Sequence, residues 1–387
     1  MLPPFKILDF TRLLPGPLAT LYLADLGAEV IKVEEMKQGD YARFMPPLLK
    51  NYSPLYLLLN RNKKSIAINF EHPDGQNIIH QLVQNADVVI EGFKPGTMKK
   101  WNLDYDTLKK IKPDLIYVSI TGYGQKGKWA HRAGHDLNFL GYTGILHHLI
   151  KKETATIPSI QVADVLGGTM HAVIATLAAY IQKLTYQKGQ YLDISMLDCT
   201  FANTHLMLSS FLAMRQELPP GNDLLTGGMP FYDVYPTQDQ RYMVLAAIET
   251  KFWKTFCTTV NREDWLSKQF VFGEEAKKLR NEIRELFQSK TQSEWIQIFE
   301  NTDCCVTPVL NYTEALDLEH FRQNQIIFKT YHSTDGEHLT FNNPILRNSQ
   351  NAKQAPAWGE NTLEILQNIG FSETEIQNFL QNHIIKT

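Results

Sequence analysis

Short apolar runs alternate with longer amphipathic stretches through the first 200 residues. Lys6-Ile7-Leu8-Asp9-Phe10 predicts a strand. The turn Pro15-Gly16-Pro17 opens a helix through Leu26, and Gly27 stops it. Glu29-Val30-Ile31-Lys32-Val33 predicts a second strand, and Lys64-Ser65-Ile66-Ala67-Ile68-Asn69 a third, followed by a helix from about Pro73 to Asn85. Asp87-Val88-Val89-Ile90 is a fourth strand, and Leu115-Ile116-Tyr117-Val118-Ser119-Ile120 a fifth that is apolar on both faces. Such runs separated by helices indicate a parallel sheet covered on both sides, a Rossmann-like doubly wound α/β domain. A long helix, roughly Gly168 to Lys183, and the strand Tyr191-Leu192-Asp193-Ile194-Ser195 extend it.

The texture changes beyond Pro219-Pro220-Gly221-Asn222-Asp223. Phe231-Tyr232-Asp233-Val234-Tyr235 and Tyr242-Met243-Val244-Leu245-Ala246 predict a hairpin, and helical stretches follow near 250–260 and 273–300. The expected organisation is a large domain over residues 1–200, a linker helix and linker over 201–225, and a small α+β domain over 226–325. The tail, residues 330–387 and helical from about 355, is expected to pack back on the large domain.

Composition narrows the function classes. Of 387 residues, 43% are hydrophobic, and the net charge is −3, so no basic excess marks a nucleic-acid binder. Cys199, Cys257, Cys304 and Cys305 show no disulfide-framework spacing, which suggests a reducing compartment. The start Met1-Leu2-Pro3-Pro4-Phe5-Lys6 lacks a basic segment followed by an apolar one. The apolar-leaning stretch from Met170 to Ile181 falls short of the roughly 18 residues of a membrane span. The expectation is a cytoplasmic protein, or one of an organelle matrix in a eukaryote, with no membrane or nucleic-acid partner.

The glycines Gly122, Gly124 and Gly127 match a dinucleotide fingerprint, but Lys128-Trp129-Ala130-His131 does not open a helix, so a glycine turn is the better reading. His135 lies between Gly134 and Asp136. One reading makes Asp136 the cap of a helix starting at Leu137 and His135 an exposed loop residue; the other makes His135 a catalytic base. Asp164 precedes Gly167-Gly168 and a long helix. It reads as an N-cap, or as an acid at a helix start where a developing oxyanion is stabilised. Glu249 ends the run Val244-Leu245-Ala246-Ala247-Ile248 and alone means little. Arg61, Lys63, Lys64, Lys94, Lys99 and Lys100 cluster before and after the fourth strand, where they suit a polyphosphate if they lie at the strand ends. The histidines and cysteines do not pair at metal-ligand spacing.

Several stretches together carry a family resemblance. Ile7-Leu8-Asp9-Phe10-Thr11-Arg12-Leu13-Leu14-Pro15-Gly16-Pro17, Leu26-Gly27-Ala28-Glu29-Val30-Ile31-Lys32-Val33-Glu34, Glu91-Gly92-Phe93-Lys94-Pro95-Gly96 and Gln190-Tyr191-Leu192-Asp193-Ile194-Ser195 closely resemble the class III CoA-transferase family. The resemblance implies an interlocked homodimer acting on an acyl-CoA thioester, with no further cofactor and no metal. Its active site would lie between the large domain of one subunit and the small domain of the other.

The chain resembles the α-methylacyl-CoA racemase branch in Gly134-His135-Asp136-Leu137-Asn138, in Asp164, and in Gly227-Gly228-Met229-Pro230-Phe231-Tyr232 followed by Ala247-Ile248-Glu249. By that resemblance His135 and Asp164 exchange the α-proton on opposite faces of C2, Glu249 orients the imidazole, and N–H groups after Asp164 hold the enolate oxygen. The transferase alternative makes Asp164 a nucleophile that passes through an acyl anhydride and an aspartyl-CoA thioester. A non-catalytic acyl-CoA-binding protein is a third class, against which an intact His135, Asp164 and Glu249 argue. For CoA, the resemblance points to Leu13, Ile68, Phe93, Lys94 and Lys100. Many members carry an Arg where this chain has Glu35, which leaves Arg12, Lys63 or Lys64 as candidates for the phosphate grip.

Overall fold

The apolar runs become strands β1 (Lys6–Asp9), β2 (Glu29–Glu35), β3 (Lys63–Ile68), β4 (Val88–Glu91) and β5 (Ile116–Thr121). A two-residue hairpin, β6 (Ile150–Lys151) with β7 (Thr154–Ala155), precedes β8 (Gln190–Ser195). These are features of a computed structural model that describes residues 5–151, 154–347 and 352–387. Six strands run parallel in the order β3-β2-β1-β4-β5-β8, and the C-terminal residues Ile385–Lys386 pair antiparallel with β3.

Alternation along the strands sends side chains to two buried faces. Leu8, Ile31, Ile66 and Val89 face a core shared with Ile78, Ile79 and Leu82 of the helix Pro73–Gln84, and with Ile365, Leu366 and Phe379 of the C-terminal helices. Ile7, Val30, Val88, Ile90 and Val118 face the other core, covered by Ala19 and Leu23 of the helix Pro15–Asp25 and by Ala172, Ala179 and Tyr180 of the helix His171–Tyr186. The fold is therefore mixed α/β with a large parallel sheet. Gly27 has φ 112°, a conformation that ends the first helix at little cost for glycine.

Two compact units divide the chain. The first comprises Met1–Thr143, Pro158–Asn203 and Glu319–Thr387. It contains the sheet and a hairpin of β12 (Ile327–His332) and β13 (Gly336–Phe341). The second comprises Gly144–Ile157 and Thr204–Leu318. It holds the antiparallel strands β9 (Tyr232–Pro236), β10 (Tyr242–Ala246) and β11 (Val306–Pro308), packed around Trp253, Phe256, Trp265 and Trp295.

Buried charges tie the carboxyl end of β1 to the middle of β2 and the start of β3. Asp9 accepts from Thr20 at 2.6 Å and from Lys63 at 3.3 Å. Lys63 also donates to the carbonyl of Pro17 at 2.9 Å, and Lys32 to the carbonyl of Thr11 at 2.9 Å while pairing with Asp40 at 2.8 Å. The side chains of Asp9, Lys32, Lys63 and Asp40 are fully buried. Burial by itself raises the Asp9 carboxyl, but Lys63 and Lys32, with the hydroxyls of Thr11 and Thr20, outweigh it and hold the group at about 2. Burial pushes Lys63 down to about 8 despite Asp9.

Removing one partner strands the other charge in the core. Asp9→Asn is therefore expected to lower stability to chemical denaturation by about 3–5 kcal/mol. The double variant Asp9→Leu/Lys63→Met should recover much of that loss. Equal losses in single and double variants would show that the lattice is not what holds these strands.

Candidate active site

His135 is the residue before the helix Asp136–Tyr142, and its backbone N–H donates to the Asn138 side chain at 3.0 Å. The imidazole is exposed. Asp136 does not cap this helix, as the sequence suggested; it is the first helical residue. Its carboxylate instead accepts the backbone N–H of Asp164 at 2.9 Å. This bond fastens the chain at Asp164 to the residue that follows His135.

Asp164 lies in a π-helical turn, Ala163–Met170, that runs straight into the helix His171–Tyr186. Such widened turns recur at functional sites because they displace side chains from the regular spiral. The two glycines make the packing possible. A Cβ at Gly167 would lie 2.4 Å from the carbonyl oxygen of Met196, and one at Gly168 would lie 2.9 Å from Cβ of Pro15. Thr169 donates to the Pro15 carbonyl at 2.7 Å, so the segment is seated on the first helix.

Burial, and then the Asp136 carboxylate beside it, push Asp164 up to about 7. At neutral pH this group can both hold and release a proton. The expected oxyanion donors are another matter. Val165, directly after Asp164, spends its N–H on the carbonyl of Gln161 at 2.9 Å, and the N–H of Asp164 itself serves Asp136. Asp164 thus sits inside a hydrogen-bonded turn rather than at an open helix start.

A cavity of about 540 Å³ opens at the carboxyl ends of β1 and β4. The strand order reverses between these two strands, which is where open α/β sheets bind ligands. Arg12, Glu35, Phe93, Lys94 and Trp101 line it. The Arg12 guanidinium lies over the Phe93 ring at 4.8 Å and near Tyr41 at 5.7 Å. Glu35 is occupied locally, accepting the N–H groups of Lys37 at 2.8 Å and Gln38 at 2.6 Å. Of the three basic candidates for the phosphate grip, Lys63 belongs to the buried lattice and Lys64 pairs with Glu364 at 2.7 Å. Arg12 is the one that lines the cavity.

Phe93 and Lys94 line this cavity, whereas Leu13, Ile68 and Lys100 do not. Ile68 is fully buried in the sheet core and offers no side-chain surface. Leu13 has φ 68°, donates its N–H to Asp40 at 3.1 Å, and packs beside Ala42, Tyr56 and Leu57. Lys100 is exposed at the end of the short helix Thr97–Lys100. Glu249 belongs to the second unit, where it is exposed and precedes the helix Thr250–Thr259. Gly124 and Gly127 take φ 80° and 94° in a turn, and the next helix begins only at Asp136.

The sequence did not single out Asp136 as a tether or Trp101 as a cavity wall. An Asp at a helix start looks the same whether it caps locally or reaches a distant N–H.

An open parallel sheet with a cavity at its switch point is an α/β architecture that binds ligands at the strand ends. The chain belongs to CoA-transferase family III, whose model matches residues 2–362. Family members are enzymes, racemases and CoA-transferases, that act on acyl-CoA thioesters. The chain is 31% identical to the mouse α-methylacyl-CoA racemase, covering 99% of this chain and 97% of the relative. It is also 31% identical to the human succinyl-CoA:glutarate CoA-transferase, covering 94% and 85%. Among solved structures it resembles a CaiB/BaiF family protein from Brucella suis, at a TM-score of 0.79 and 25% identity over 94% of this chain and 98% of the other.

A raised carboxyl carries a stability signature. Asp164 is held at about 7 in the fold, against 3.8 as its ordinary value, so folding favours its protonated form. Stability is thus full below the ordinary value and falls as pH rises towards about 7. Asp164→Asn should raise stability by about 1–2 kcal/mol at pH 8, measured by thermal unfolding, and change little at pH 4. A variant equally stable at both values relative to the parent would show that the carboxyl is not strained by burial.

Proposed function

We propose that the protein racemises 2-methylacyl-CoA thioesters at C2 by two-base proton transfer. The observation that carries this reading is the carboxyl of Asp164, pushed up to about 7 and fastened through Asp136 to the helix that follows His135. The α-hydrogen of a thioester is weakly acidic. One group removes it as a proton, the electron pair moves into the thioester carbonyl to give an enolate, and the other group delivers a proton to the opposite face. The enzyme ends with its proton on the other partner. His135 and Asp164 share that proton between them.

The transferase reading needs Asp164 ionised, as a nucleophile on the acyl carbon. A carboxyl that keeps its proton up to about 7 suits delivery of a proton better than attack. The transferase reading also leaves His135 without a task.

CoA would enter the switch-point cavity with its phosphates towards Arg12 and Lys94 and its base against the ring surfaces of Phe93 and Trp101. Guanidinium geometry suits phosphate oxygens, and stacking on Phe93 holds it preformed. Arg12→Ala should weaken CoA binding about tenfold by calorimetry, with no change in secondary structure. Unchanged affinity would remove Arg12 from the site.

The reading includes a homodimer, with Glu249 contributed to each site by a second copy. Support comes from apolar faces within each unit. The helix His205–Met214 has no buried residue, and Leu206, Phe211 and Leu212 are more than half exposed. The joined helix Ala163–Tyr186 is long and apolar enough, by length and composition, to cross a membrane. The sequence missed this because the apolar stretch extends into the π turn. Ala172, Thr176 and Tyr180 on this helix are buried, whereas Ile174 and Ile181 are more than 60% exposed. A second copy would cover that outer stripe.

The pH profile separates the two chemistries. The racemising pair works with one proton, so activity falls when both groups are protonated and again when neither is. Loss of optical purity from a pure enantiomer should trace a bell, with Asp164 contributing near pH 7, and His135→Ala should abolish it. A rate that only rises through pH 7 and then levels would indicate an ionised nucleophile and favour the transferase.

A further inference from the structure

A second cavity, of about 590 Å³, lies beside the switch-point cavity and shares only Lys94 with it. It is lined by Glu91 at the end of β4, by Tyr117 and Ser119 within β5, and by Tyr191 near the start of β8. None of the groups proposed for proton transfer lines it.

Its deepest wall is polar. Glu91, Ser119 and Tyr117 are all at most 3% exposed. The Glu91 carboxylate accepts the N–H of Phe93 at 2.7 Å, and Ser119 hydrogen-bonds the same carboxyl. Tyr191 in turn donates to the Ser119 hydroxyl at 3.2 Å. A carboxyl sunk this deep has no cation against it among the interactions that shift it. Burial raises it, and Asp193 on β8 adds to the rise, so that it titrates at about 7.

The rest of the wall is aromatic and the mouth is basic. Tyr105, Tyr117 and Tyr191 pack on one another with ring centroids 5.4 to 6.0 Å apart. Lys94, Lys99 and Lys126 are exposed at the mouth. Two acids are also present, but both are engaged. Asp104 caps the helix Tyr105–Ile111, and Asp106 pairs with Lys109. The balance at the mouth is therefore positive, above flat apolar rings and a carboxyl that can give a proton.

We propose that this cavity is a second ligand site that takes a small aryl carboxylate, its ring against the tyrosines and its anion between the lysines and Glu91. The protonated Glu91 donates to the ligand carboxylate, so the pair shares one proton where two charges would repel. Inorganic phosphate, with no apolar body, should bind far more weakly. The site touches the CoA-binding reading only at Lys94 and does not depend on it.

Benzoate is the probe, titrated by calorimetry into the full chain without CoA. Saturable binding is expected at pH 6 and should weaken up to about tenfold by pH 8, as Glu91 loses its proton. The exposed double variant Lys99→Ala/Lys126→Ala should lose benzoate affinity about tenfold while its CoA affinity stays as it was. Glu91→Gln, which donates at every pH, should bind benzoate equally at pH 6 and pH 8. No saturable binding at pH 6, binding that survives loss of both lysines, or phosphate binding as tightly as benzoate would each overturn the proposal. CoA affinity lost together with benzoate affinity would show one site rather than two.

Discussion

The buried lattice around Asp9 is the constraint on which the working parts of the first unit depend. It joins the end of β1 to the middle of β2 and the start of β3, and reaches outward in two directions. Through Lys63 and the Pro17 carbonyl it seats the start of the helix Pro15–Asp25, and through Lys32 and the Thr11 carbonyl it shapes the turn that presents Arg12. Pro15 is in turn the surface on which Gly168 and Thr169 rest. The segment bearing Asp164 is thereby positioned through the helix start that this lattice seats. A lattice of this kind is costly to desolvate and gives little net stability. Its worth here is in fixing where the backbone goes.

The same economy of position governs Asp164, the acid of the proposed proton transfer. Asp136 holds the N–H of Asp164 in a charge-assisted hydrogen bond while its negative charge opposes ionisation of the Asp164 side chain. One carboxylate both aims the backbone and tunes the acid. The π turn and its glycines then allow close approach to Pro15 and Met196, a packing that side chains at 167 and 168 would forbid. Burial at this point costs stability at neutral pH, as active-site groups often do.

Much of the sheet was readable from periodicity, because buried parallel strands write near-continuous apolar runs. The hairpin of β9 and β10 was equally plain from its alternation and its turn. The edge pairing of Ile385–Lys386 with β3 was not, because two residues carry no period. The hairpin of β12 and β13 was missed too: Lys329, Glu337 and His338 make its alternation weak. For the candidate pair, His135 and Asp164 came from motif resemblance, whereas their linkage through Asp136 is visible only in the fold. Ile68 shows the opposite failure. Its place in a motif suggested a ligand contact, but strand alternation turns it into the core. Glu35 looked like a lost phosphate contact, and the structure shows its carboxylate closing the turn after β2.

Two cavities share Lys94, the first proposed here for a nucleotide and the second for a smaller acid. The central claim concerns proton transfer at C2, and deuterium tests it most directly. The protein is incubated with (2S)-2-methylacyl-CoA in D2O without any added acid, the α-position is followed by NMR, and the protein is then treated with hydroxylamine. The account predicts α-deuterium with loss of optical purity, abolished by Asp164→Asn, and no protein-bound acyl group. An unexchanged α-proton together with acyl hydroxamate released from Asp164 would contradict it and establish group transfer instead.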